Sequence, residues 1–309
     1  MFAYLKRVVE AWRDYPLPKG KVLQGRYRID RFLGIGSYGL TYLCRDMESG
    51  TDIVLKQAKP SKKRLGRDLL RREQALLQQL THPAIPRAYE LFQSAGREFL
   101  LLEYRRGRTV EDLIFERGQR FGEKEALQLV RRLLDIVGDV HAQGIVHLDI
   151  RIPNVLLDGE RMSLIDFGLA ARLGEPARLP ADADEEFIRK RTVAVTSDLY
   201  AIGHFLLFML YSAFETPQEG ERNARGECAG ERSGSSEGGR CAGERGSSCE
   251  NGKHASGPPL SGWEQELDVS PATKAMLRKL LQLDPPYPDV RACALALDKL
   301  LQHEENRLG

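Results

Sequence analysis

The hydrophobic pattern of this chain changes its period about one third of the way along it. Up to about residue 104, apolar residues alternate with polar ones around glycines, as in "GRYRIDRFLGIGSYGLTYLCRD", which is typical of a β-hairpin. The runs "TDIVLKQA" and "EFLLLEY" predict further strands, and "LGRDLLRREQALLQQL" between them predicts a helix. Helical patterns then dominate, at residues 109–118, 123–143, 198–213, 271–283 and 289–304. A strand-rich part followed by a helical part predicts an α+β fold with two lobes of different architecture.

The same change of pattern sets the expected boundaries. We predict an amphipathic helix and linker over residues 1–26, a first lobe over 27–104 and a second lobe over 105–302. Residues 215–262 interrupt the second lobe with Gly, Ser, Glu and Arg, an approximate "CAGER-GSS" repeat and almost no apolar groups. A segment of this composition buries too little apolar surface to fold, so we predict a disordered insertion.

Apolar residues near the N-terminus recur at helical spacing: Phe2, Leu5, Val8, Val9 and Trp12. This stripe favours a helix packed against the rest of the protein. The alternative is peripheral contact with a membrane through residues 1–14, and it stays open.

The chain contains no segment that predicts secretion or membrane insertion. "MFAYLKRVVEAWRDYP" lacks the apolar core of a signal peptide, and "LYAIGHFLLFMLYSAF" (199–214) is about two-thirds of a bilayer span and contains His204. We therefore expect no transmembrane segment, a buried helix over 199–214 and a cytoplasmic location. Cys44 and Cys293 lie in apolar surroundings and are predicted to be inert core thiols. The net charge of +2 favours no nucleic-acid partner.

Three glycines in "LGIGSYGLTYL", Gly34, Gly36 and Gly39, precede a strand-like run instead of a helix. This context favours a glycine hairpin whose backbone amides approach phosphate groups, over the strand-to-helix turn of a dinucleotide fold. Lys56 ends the strand "IVLK", and Glu73 lies within the apolar stripe of the next helix, where an unpaired carboxylate would be costly. A Lys56–Glu73 ion pair removes that cost and directs the ammonium at phosphate oxygens.

Two later stretches gather polar groups between apolar runs. "HLDIRIPNVLL" contains Asp149 and Asn154, and "SLIDFGL" contains Asp166. Transfer of a phosphoryl group requires hard oxygen ligands for Mg²⁺ and one carboxylate left free for the attacking hydroxyl. Two acids and one amide on adjoining loops meet that requirement, so we predict that these loops meet in one cleft.

These five features, in this order and at these spacings, resemble a Hanks-type serine/threonine protein kinase of the compact soluble form found in bacteria. The resemblance covers residues 27–214 and resumes weakly over 263–302. It implies a bilobal protein-kinase-like fold, with an antiparallel β-sheet plus one helix in the N-lobe and a mainly helical C-lobe. It further implies ATP and Mg²⁺ as cofactors and transfer to Ser or Thr hydroxyls of proteins. We also expect autophosphorylation on serines of the 215–262 insertion.

The resemblance implies a role for each matching residue. Asp149 would accept the proton of the substrate hydroxyl, and Lys56, held by Glu73, would contact the α- and β-phosphates. Asn154 and Asp166 would hold Mg²⁺. The remaining nucleotide contacts that the resemblance implies are Gly34, Ile35, Gly36, Ser37, Gly39, Thr41, Val54, Leu102, Glu103, Arg105 and Leu156.

Leu102 matches the gatekeeper position of the family, and Glu103 and Arg105 would offer backbone groups to adenine. Arg151 is assigned to catalysis because it replaces the lysine that the family has two residues after the catalytic aspartate. The positive charge is kept, but the arginine head group is planar and the side chain is longer than that of lysine, so the resemblance implies an altered contact with the γ-phosphate. Leu148 stands where the family usually has an arginine that grips a phosphate on the activation segment. We therefore predict that activity does not require phosphorylation there.

No A-P-E sequence follows the D-F-G, and the segment over residues 173–197 is short. Asp198, in "DLYAIG", resembles the aspartate of D-x-W-x-x-G. It is predicted to accept backbone hydrogen bonds from the loop over residues 147–154, which the resemblance identifies as the catalytic loop. Arg291 resembles the arginine that pairs with the missing glutamate, a role open to Glu185 or Glu186. The short segment keeps one alternative open, a kinase-fold enzyme that acts on a small molecule. A second alternative is a pseudokinase that binds nucleotide as a scaffold, but a scaffold has no need of the proton acceptor Asp149.

Overall fold

The computed structural model describes residues 14–180, 182–214 and 262–308, with side chains described as far as residue 302. The helix predicted over residues 1–14 and the insertion predicted over 215–262 lie outside these residues, apart from Asp14 and Gly262. The predictions about their structure stay predictions.

The first part of the chain folds into an antiparallel sheet of six strands. They are β1 (Val22–Leu23), β2 (Tyr27–Ile35), β3 (Gly39–Asp46), β4 (Asp52–Ala58), β5 (Ala88–Ser94) and β6 (Arg97–Glu103). Their order in the sheet is β1-β2-β3-β4-β6-β5, so β4 lies between two neighbours and its backbone is paired on both sides. The strand that ends near Lys56 is therefore interior, as the sequence predicts.

Helix α1 (Lys63–Leu77) connects β4 to β5 and packs against the sheet. It buries one stripe of residues: Gly66, Leu69, Leu70, Glu73, Leu76 and Leu77. Because positions three and four apart share a helix face, this stripe turns Glu73 inward together with the leucines. The predicted burial of Glu73 is confirmed.

The second part of the chain is mainly helical. Its helices are α2 (Val110–Phe115), α3 (Glu123–Ala142), α4 (Glu185–Arg191), α5 (Val195–Ser212), α6 (Trp263–Glu266), α7 (Pro271–Leu280) and α8 (Val290–Leu308). Its short strands are β7 (Arg108–Thr109), β8 (Ile145–Val146), β9 (Val155–Asp158), β10 (Arg161–Leu164) and β11 (Ala171–Arg172). Since β9 pairs with β10 and β8 pairs with β11, the loops 147–154 and 165–170 run side by side between the two ladders.

Helix α5 is apolar around most of its circumference, which is typical of a helix at the centre of a lobe. It is buried along nearly its whole length, and α3, α4 and α7 pack against it. The buried helix that the sequence predicts over residues 199–214 is confirmed. Among the described residues no single helix is long and apolar enough to cross a membrane, and the one helix pair that passes by length and composition, Glu185–Arg191 with Val195–Ser212, is bent by 111°.

The apolar core has one part on each face of the sheet. Alternate residues of β6 face opposite sides, so Phe99 and Leu101 lie in the outer part and Leu100 and Leu102 in the inner part. The inner part also contains Leu70, Leu76 and Leu77 of α1 and continues without a break into the helical lobe. This continuity fixes the sheet relative to the loops that follow β8 and β10.

Two thiols lie in these cores, as the sequence predicts. Cys44 and Cys293 are both buried and not bonded in a disulfide. Burial raises the pKa of each thiol to about 12, so both are inert thiols near neutral pH.

Candidate active site

The three glycines of "LGIGSYG" lie in the hairpin between β2 and β3. The hairpin is closed by a hydrogen bond in which the Gly36 N–H donates to the Gly39 carbonyl at 2.9 Å. A Cβ on Gly39 would lie 3.0 Å from the Gln57 carbonyl oxygen, so β4 packs too closely for a side chain at that position. The hairpin that the sequence predicts is confirmed, with Ser37 and Tyr38 at its tip.

A cleft opens between this hairpin, α1 and the loops that follow β8 and β10, and its empty space, part of which is open solvent, is about 720 Å³. Nine of the residues assigned from the sequence line it: Gly36, Ser37, Gly39, Thr41, Lys56, Glu73, Asp149, Arg151 and Asp166. The other assigned residues do not line it: Gly34, Ile35, Val54, Leu102, Glu103, Arg105, Asn154 and Leu156. The structure thus brings most of the residues assigned to phosphate and catalysis together, while those assigned to adenine do not line this cleft.

Lys56 is the centre of the cleft's charge network. Its Nζ donates to Glu73 Oε1 at 2.9 Å and Oε2 at 2.7 Å, and to Asp166 Oδ1 at 2.7 Å. The side chain of Glu73 is 1% exposed and that of Lys56 14%, so the predicted pair is real and nearly dry. Since Glu73 belongs to α1 and Asp166 to the loop after β10, the ammonium joins the two lobes.

The pKa values in this network follow from burial and from the opposite charges. Burial disfavours the ammonium of Lys56, but Asp166 and Glu73 outweigh it and raise the pKa of Lys56 above its usual value. Burial opposes ionisation of Asp166 as well, yet Lys56 lowers the pKa of that carboxyl to about 2. Burial raises the pKa of Glu73, and Lys56 offsets part of that rise. Lys56 and Asp166 are therefore charged at neutral pH.

Asp166 adopts an unusual backbone conformation. Its φ of +64° lies in the left-handed region, which costs a residue with a side chain about 1–3 kcal/mol. The Gly168 N–H donates to Asp166 Oδ1 at 3.2 Å and helps to hold this conformation. A Cβ on Gly168 would lie 3.1 Å from that same oxygen and 3.2 Å from Lys56 Nζ, so a larger residue there would have to displace both charged groups by a few tenths of an ångström.

Asp149 and Asn154 meet within the loop that follows β8. Asn154 Nδ2 donates to the Asp149 carbonyl at 2.8 Å and to Asp149 Oδ2 at 3.0 Å. Arg151 Nε lies 3.4 Å from the same carboxylate oxygen, and the Arg151 side chain is half exposed at the cleft. Asn154 and Arg151 thus both contact Oδ2 of Asp149 and fix the orientation of its carboxylate.

Asp198 holds the backbone of this loop through hydrogen bonds. It is fully buried at the start of α5, and it accepts the His147 N–H at 2.8 Å and the Leu148 N–H at 2.7 Å. His141 Nε2 of α3 lies 2.8 Å from the same carboxylate. The hydrogen bonds that the sequence predicts from the loop to Asp198 are confirmed. Sequence reasoning missed His141, which lies in the last turn of α3, just before the chain enters β8 and this loop.

Arg191 is the principal cleft residue that sequence reasoning missed. It is the last residue of α4; its Nη1 donates to the Leu148 carbonyl, and its Nη2 lies 3.3 Å from Asp149 Oδ1. A signal for α4 is present in the sequence, because Asp184 is a favourable N-cap, acids follow it in the first turn and bases fill the last. That signal predicts the helix but not the direction of its final arginine.

The 173–197 segment also contacts α1. Arg72 Nε donates to the Ala170 carbonyl at 3.0 Å, and Arg72 Nη2 forms an ion pair with Glu175. Burial opposes ionisation of Glu175, but Arg72 outweighs it and lowers the pKa of that carboxyl. Both contacts hold α1 against the chain that follows the D-F-G.

The structure does not support the partner suggested for Arg291. Arg291 is exposed and makes no ion pair with any residue that the structure describes. Glu185 and Glu186 pair instead with Arg189 and Lys190, one turn along their own helix α4. Short-range pairing within the helix satisfies both acids, so neither replaces the missing glutamate.

The residues assigned to adenine from the sequence lie where the sheet leads into the helical lobe. Leu102 is buried on β6 opposite Val54, and the Glu103 N–H donates to the Arg87 carbonyl at 2.9 Å. That N–H is therefore not available to a ligand. The Arg105 N–H makes no hydrogen bond within the described ranges, while the Arg105 guanidinium donates to the Ile85 carbonyl at 2.5 Å.

The oxygens that could hold a cation belong to Asp166 and Asn154. Asp166 accepts its hydrogen bonds on Oδ1, and Asn154 donates through Nδ2, so Asp166 Oδ2 and Asn154 Oδ1 have no hydrogen-bond partner in the part of the chain that the structure describes. Within that part, no three His, Cys, Asp or Glu side chains form a metal-binding group. Two hard oxygen donors without a complete protein cage fit Mg²⁺, which takes its other ligands from phosphates and water.

Comparison with known proteins places this geometry in a family. The model of the protein kinase domain matches residues 27–287. The chain is 38% identical over 213 residues to the probable serine/threonine-protein kinase YbdM of Bacillus subtilis, a match that covers 68% of this chain and 79% of that protein. It is 34% identical over 207 residues to CBL-interacting protein kinase 16 of Oryza sativa, covering 62% of this chain and 44% of that protein. A crystal structure of a kinase domain aligns with a TM-score of 0.52 at 17% identity, over 64% of this chain and 68% of the other.

The chain therefore belongs to the protein kinase family, on the serine/threonine branch that includes its Bacillus relative. The bilobal protein-kinase-like fold and the family resemblance predicted from the sequence are both confirmed. The chain spans less than half the length of the plant kinase that it matches.

Proposed function

We propose that this chain transfers the γ-phosphoryl group of ATP to a Ser or Thr hydroxyl of a protein, in a reaction that depends on Mg²⁺. The observation that supports this most strongly is Lys56, which bonds Glu73 from one lobe and Asp166 from the other inside the cleft that Asp149 lines. An ammonium held between two carboxylates faces the place where a triphosphate needs positive charge, and a separate carboxylate faces the acceptor.

The reaction uses the groups of the cleft in distinct ways. The glycine hairpin offers backbone N–H groups to the phosphates, and Lys56 contacts the α- and β-phosphates. As the substrate oxygen bonds to the γ-phosphorus, the bond from that phosphorus to the β–γ bridging oxygen breaks and ADP leaves. The hydroxyl proton passes to Asp149, whose carboxylate Asn154 holds in place. Arg151 offers its guanidinium to the γ-phosphate.

The remaining assignments complete the proposal. Asp166 and Asn154 would hold Mg²⁺, which when bound neutralises charge on the phosphates. Leu102, the Glu103 carbonyl and the Arg105 N–H would contact adenine. We place the reaction in the cytoplasm because it consumes ATP, and we expect autophosphorylation on the serines of residues 215–262.

The test is transfer of label from γ-labelled ATP. The purified protein is incubated with Mg²⁺, with and without a generic protein substrate, beside an Asp149→Asn variant. Because a general base contributes about 10²–10⁴-fold to a rate, Asp149→Asn should lose at least about 100-fold of the label transferred to protein. The matched control is Asp158→Asn, an exposed aspartate at the end of β9 that should keep the wild-type rate.

Three results would contradict the proposal. Binding of ATP without any transfer would indicate a scaffold, and label on small molecules but never on protein would indicate a different acceptor. Equal label with wild type and Asp149→Asn would show that Asp149 is not the proton acceptor.

A further inference from the structure

Leu148 is held by charged side chains at both ends of its backbone. Its φ is +60°, a left-handed conformation that costs a residue with a branched side chain energy that something else must offset. Its N–H donates to Asp198 Oδ1 at 2.7 Å, and its carbonyl accepts a hydrogen bond from Arg191 Nη1. Leu148 immediately precedes Asp149, so the groups that hold its backbone also set the direction of the Asp149 side chain.

Arg191 touches Asp149 directly as well. Its Nη2 lies 3.3 Å from Asp149 Oδ1, while Asn154 and Arg151 contact Oδ2. Both carboxylate oxygens are therefore fixed. The 3.3 Å contact is longer than a strong charge-assisted hydrogen bond of about 2.7–2.9 Å, so the main anchor of Arg191 is the Leu148 carbonyl and the carboxylate stays able to accept a proton.

The position of Arg191 depends on the 173–197 segment. Asp184 caps α4 by accepting the Phe187 N–H at 2.7 Å, and the helix ends at Arg191. Just beyond it, Val193 and Val195 pack against an apolar cluster that contains Leu148. The segment thus binds the Leu148 carbonyl and also packs against the apolar cluster to which the Leu148 side chain belongs.

We propose that Arg191 is a positioning residue for Asp149. Because of this contact the enzyme is active only when the 173–197 segment is ordered, and the segment needs no phosphate to become ordered. Leu148 is uncharged, so this position of the loop cannot bind a phosphate on the segment. The loop and the segment are linked instead by an arginine of the segment, Arg191, which binds the loop. The inference rests on the proposed function, because it assigns Asp149 to phosphoryl transfer.

The test separates turnover from nucleotide binding. We would measure kcat, the KM for ATP and the binding of a fluorescent ADP analogue for wild type, Arg191→Gln and Arg191→Lys. Loss of a charged group that acts on Asp149 and not on the phosphates should lower kcat about 10- to 100-fold, with the KM for ATP changed by less than about threefold. Arg191→Lys should recover part of the loss, because an ammonium can still donate to the Leu148 carbonyl.

The controls are a second arginine and a phosphatase. Arg189 lies two residues earlier on α4 and pairs with the exposed Glu185, so Arg189→Gln should keep the wild-type kcat. Wild-type protein treated with phosphatase should also keep its rate. Thermal melting of each variant checks that it is folded, and Arg191→Lys serves if Arg191→Gln does not fold.

Each other outcome overturns one claim. An inactive wild type would refute the proposed function itself. Wild-type kcat in both Arg191 variants would refute the positioning role, and a higher kcat would show that Arg191 blocks Asp149. An equal loss in Arg189→Gln would attribute the effect to the helix as a whole. A large loss after phosphatase treatment would refute the claim that no phosphate is needed.

Discussion

Asp198→Asn tests how the catalytic loop is held. The carboxylate of Asp198 is fully buried and accepts two backbone N–H groups, of His147 and Leu148, beside the ring of His141. Burial alone would raise the pKa of Asp198, but the hydrogen bond to His141 and the nearby histidines outweigh it and lower the pKa, so the group is ionised at neutral pH. Asparagine has the same size but only one oxygen, so its NH₂ must face a donor.

The cost of this substitution can be worked from the contacts. One buried backbone N–H left facing a donor costs about 1–3 kcal/mol, and the contacts that remain lose their charge assistance, so we expect about 2–4 kcal/mol less stability. Domains are typically stable by about 5–15 kcal/mol, so the variant should stay folded. Asp198 also offsets the left-handed conformation of Leu148, which costs about 1–2 kcal/mol, and its loss should therefore lower kcat about five- to thirtyfold.

Two assays separate these effects. Urea unfolding followed by fluorescence of the buried Trp263 measures the free energy of unfolding, and initial rates without urea measure kcat. The matched control is Asp139→Asn on α3, because the Asp139 side chain is 65% exposed and its pair with His82 should contribute no more than about 1 kcal/mol. Unchanged stability would refute the reasoning about buried donors. A loss of stability without any loss of kcat would show that the loop keeps its geometry without Asp198.

Two further substitutions test the helical lobe. Gly203→Ala should lower the free energy of unfolding by about 1–3 kcal/mol, because its Cβ would lie 2.9 Å from Leu280 Cβ between α5 and α7. Gly138→Ala on α3 meets only Val290 Cγ1 at 3.5 Å and should be neutral or stabilising in the same urea assay, whereas equal effects would refute the packing argument. Burial lowers the pKa of His204 to about 4 from about 6.5, so protonation of His204 alone should remove about 2 kcal/mol of stability from wild type between pH 7 and pH 5. His204→Leu should remove that dependence in urea titrations at pH 7 and pH 5, and an unchanged slope would contradict the assignment.

Those parts of the site that a local rule determines could be predicted from the sequence. Glu73 lies in an apolar stripe, and the cost of burying it alone is enough to identify Lys56 as its partner. Asp149, Asn154 and Asp166 follow apolar strands, and the pairing of those strands brings their loops together. In each case the pattern around the residue carries the information.

Contacts made by the 173–197 segment could not be predicted in this way. The sequence there has no sustained period, so the path of the chain depends on what it packs against, and the contacts of Glu175 and Arg191 follow from that path. Strand β5 was missed for a related reason: it is an edge strand with partly exposed residues, and "AYELFQS" has no clear alternation.

Two consecutive residues of α1 connect this segment to Lys56 in the cleft. Side chains of Arg72 and Glu73 leave the helix about 100° apart, so they contact different partners. Glu73 holds Lys56, while Arg72 binds the Ala170 carbonyl and Glu175 beyond the D-F-G. A rotation of α1 that preserves one of these contacts breaks the other, unless the chain that carries Glu175 moves with the helix.

The other end of that segment binds the catalytic loop. Because Arg191 holds the Leu148 carbonyl, disorder of the segment would release both the direction of Asp149 and, through Glu175, the position of α1. The two lobes therefore depend on one stretch of chain whose anchoring charges are permanent. A phosphate on the segment that binds an arginine of the catalytic loop supplies a charge that can be removed. Glu175 and Arg191 supply charges that are part of the sequence and cannot be removed. In our proposal the activity of this kinase therefore varies with the order of the segment and not with its charge.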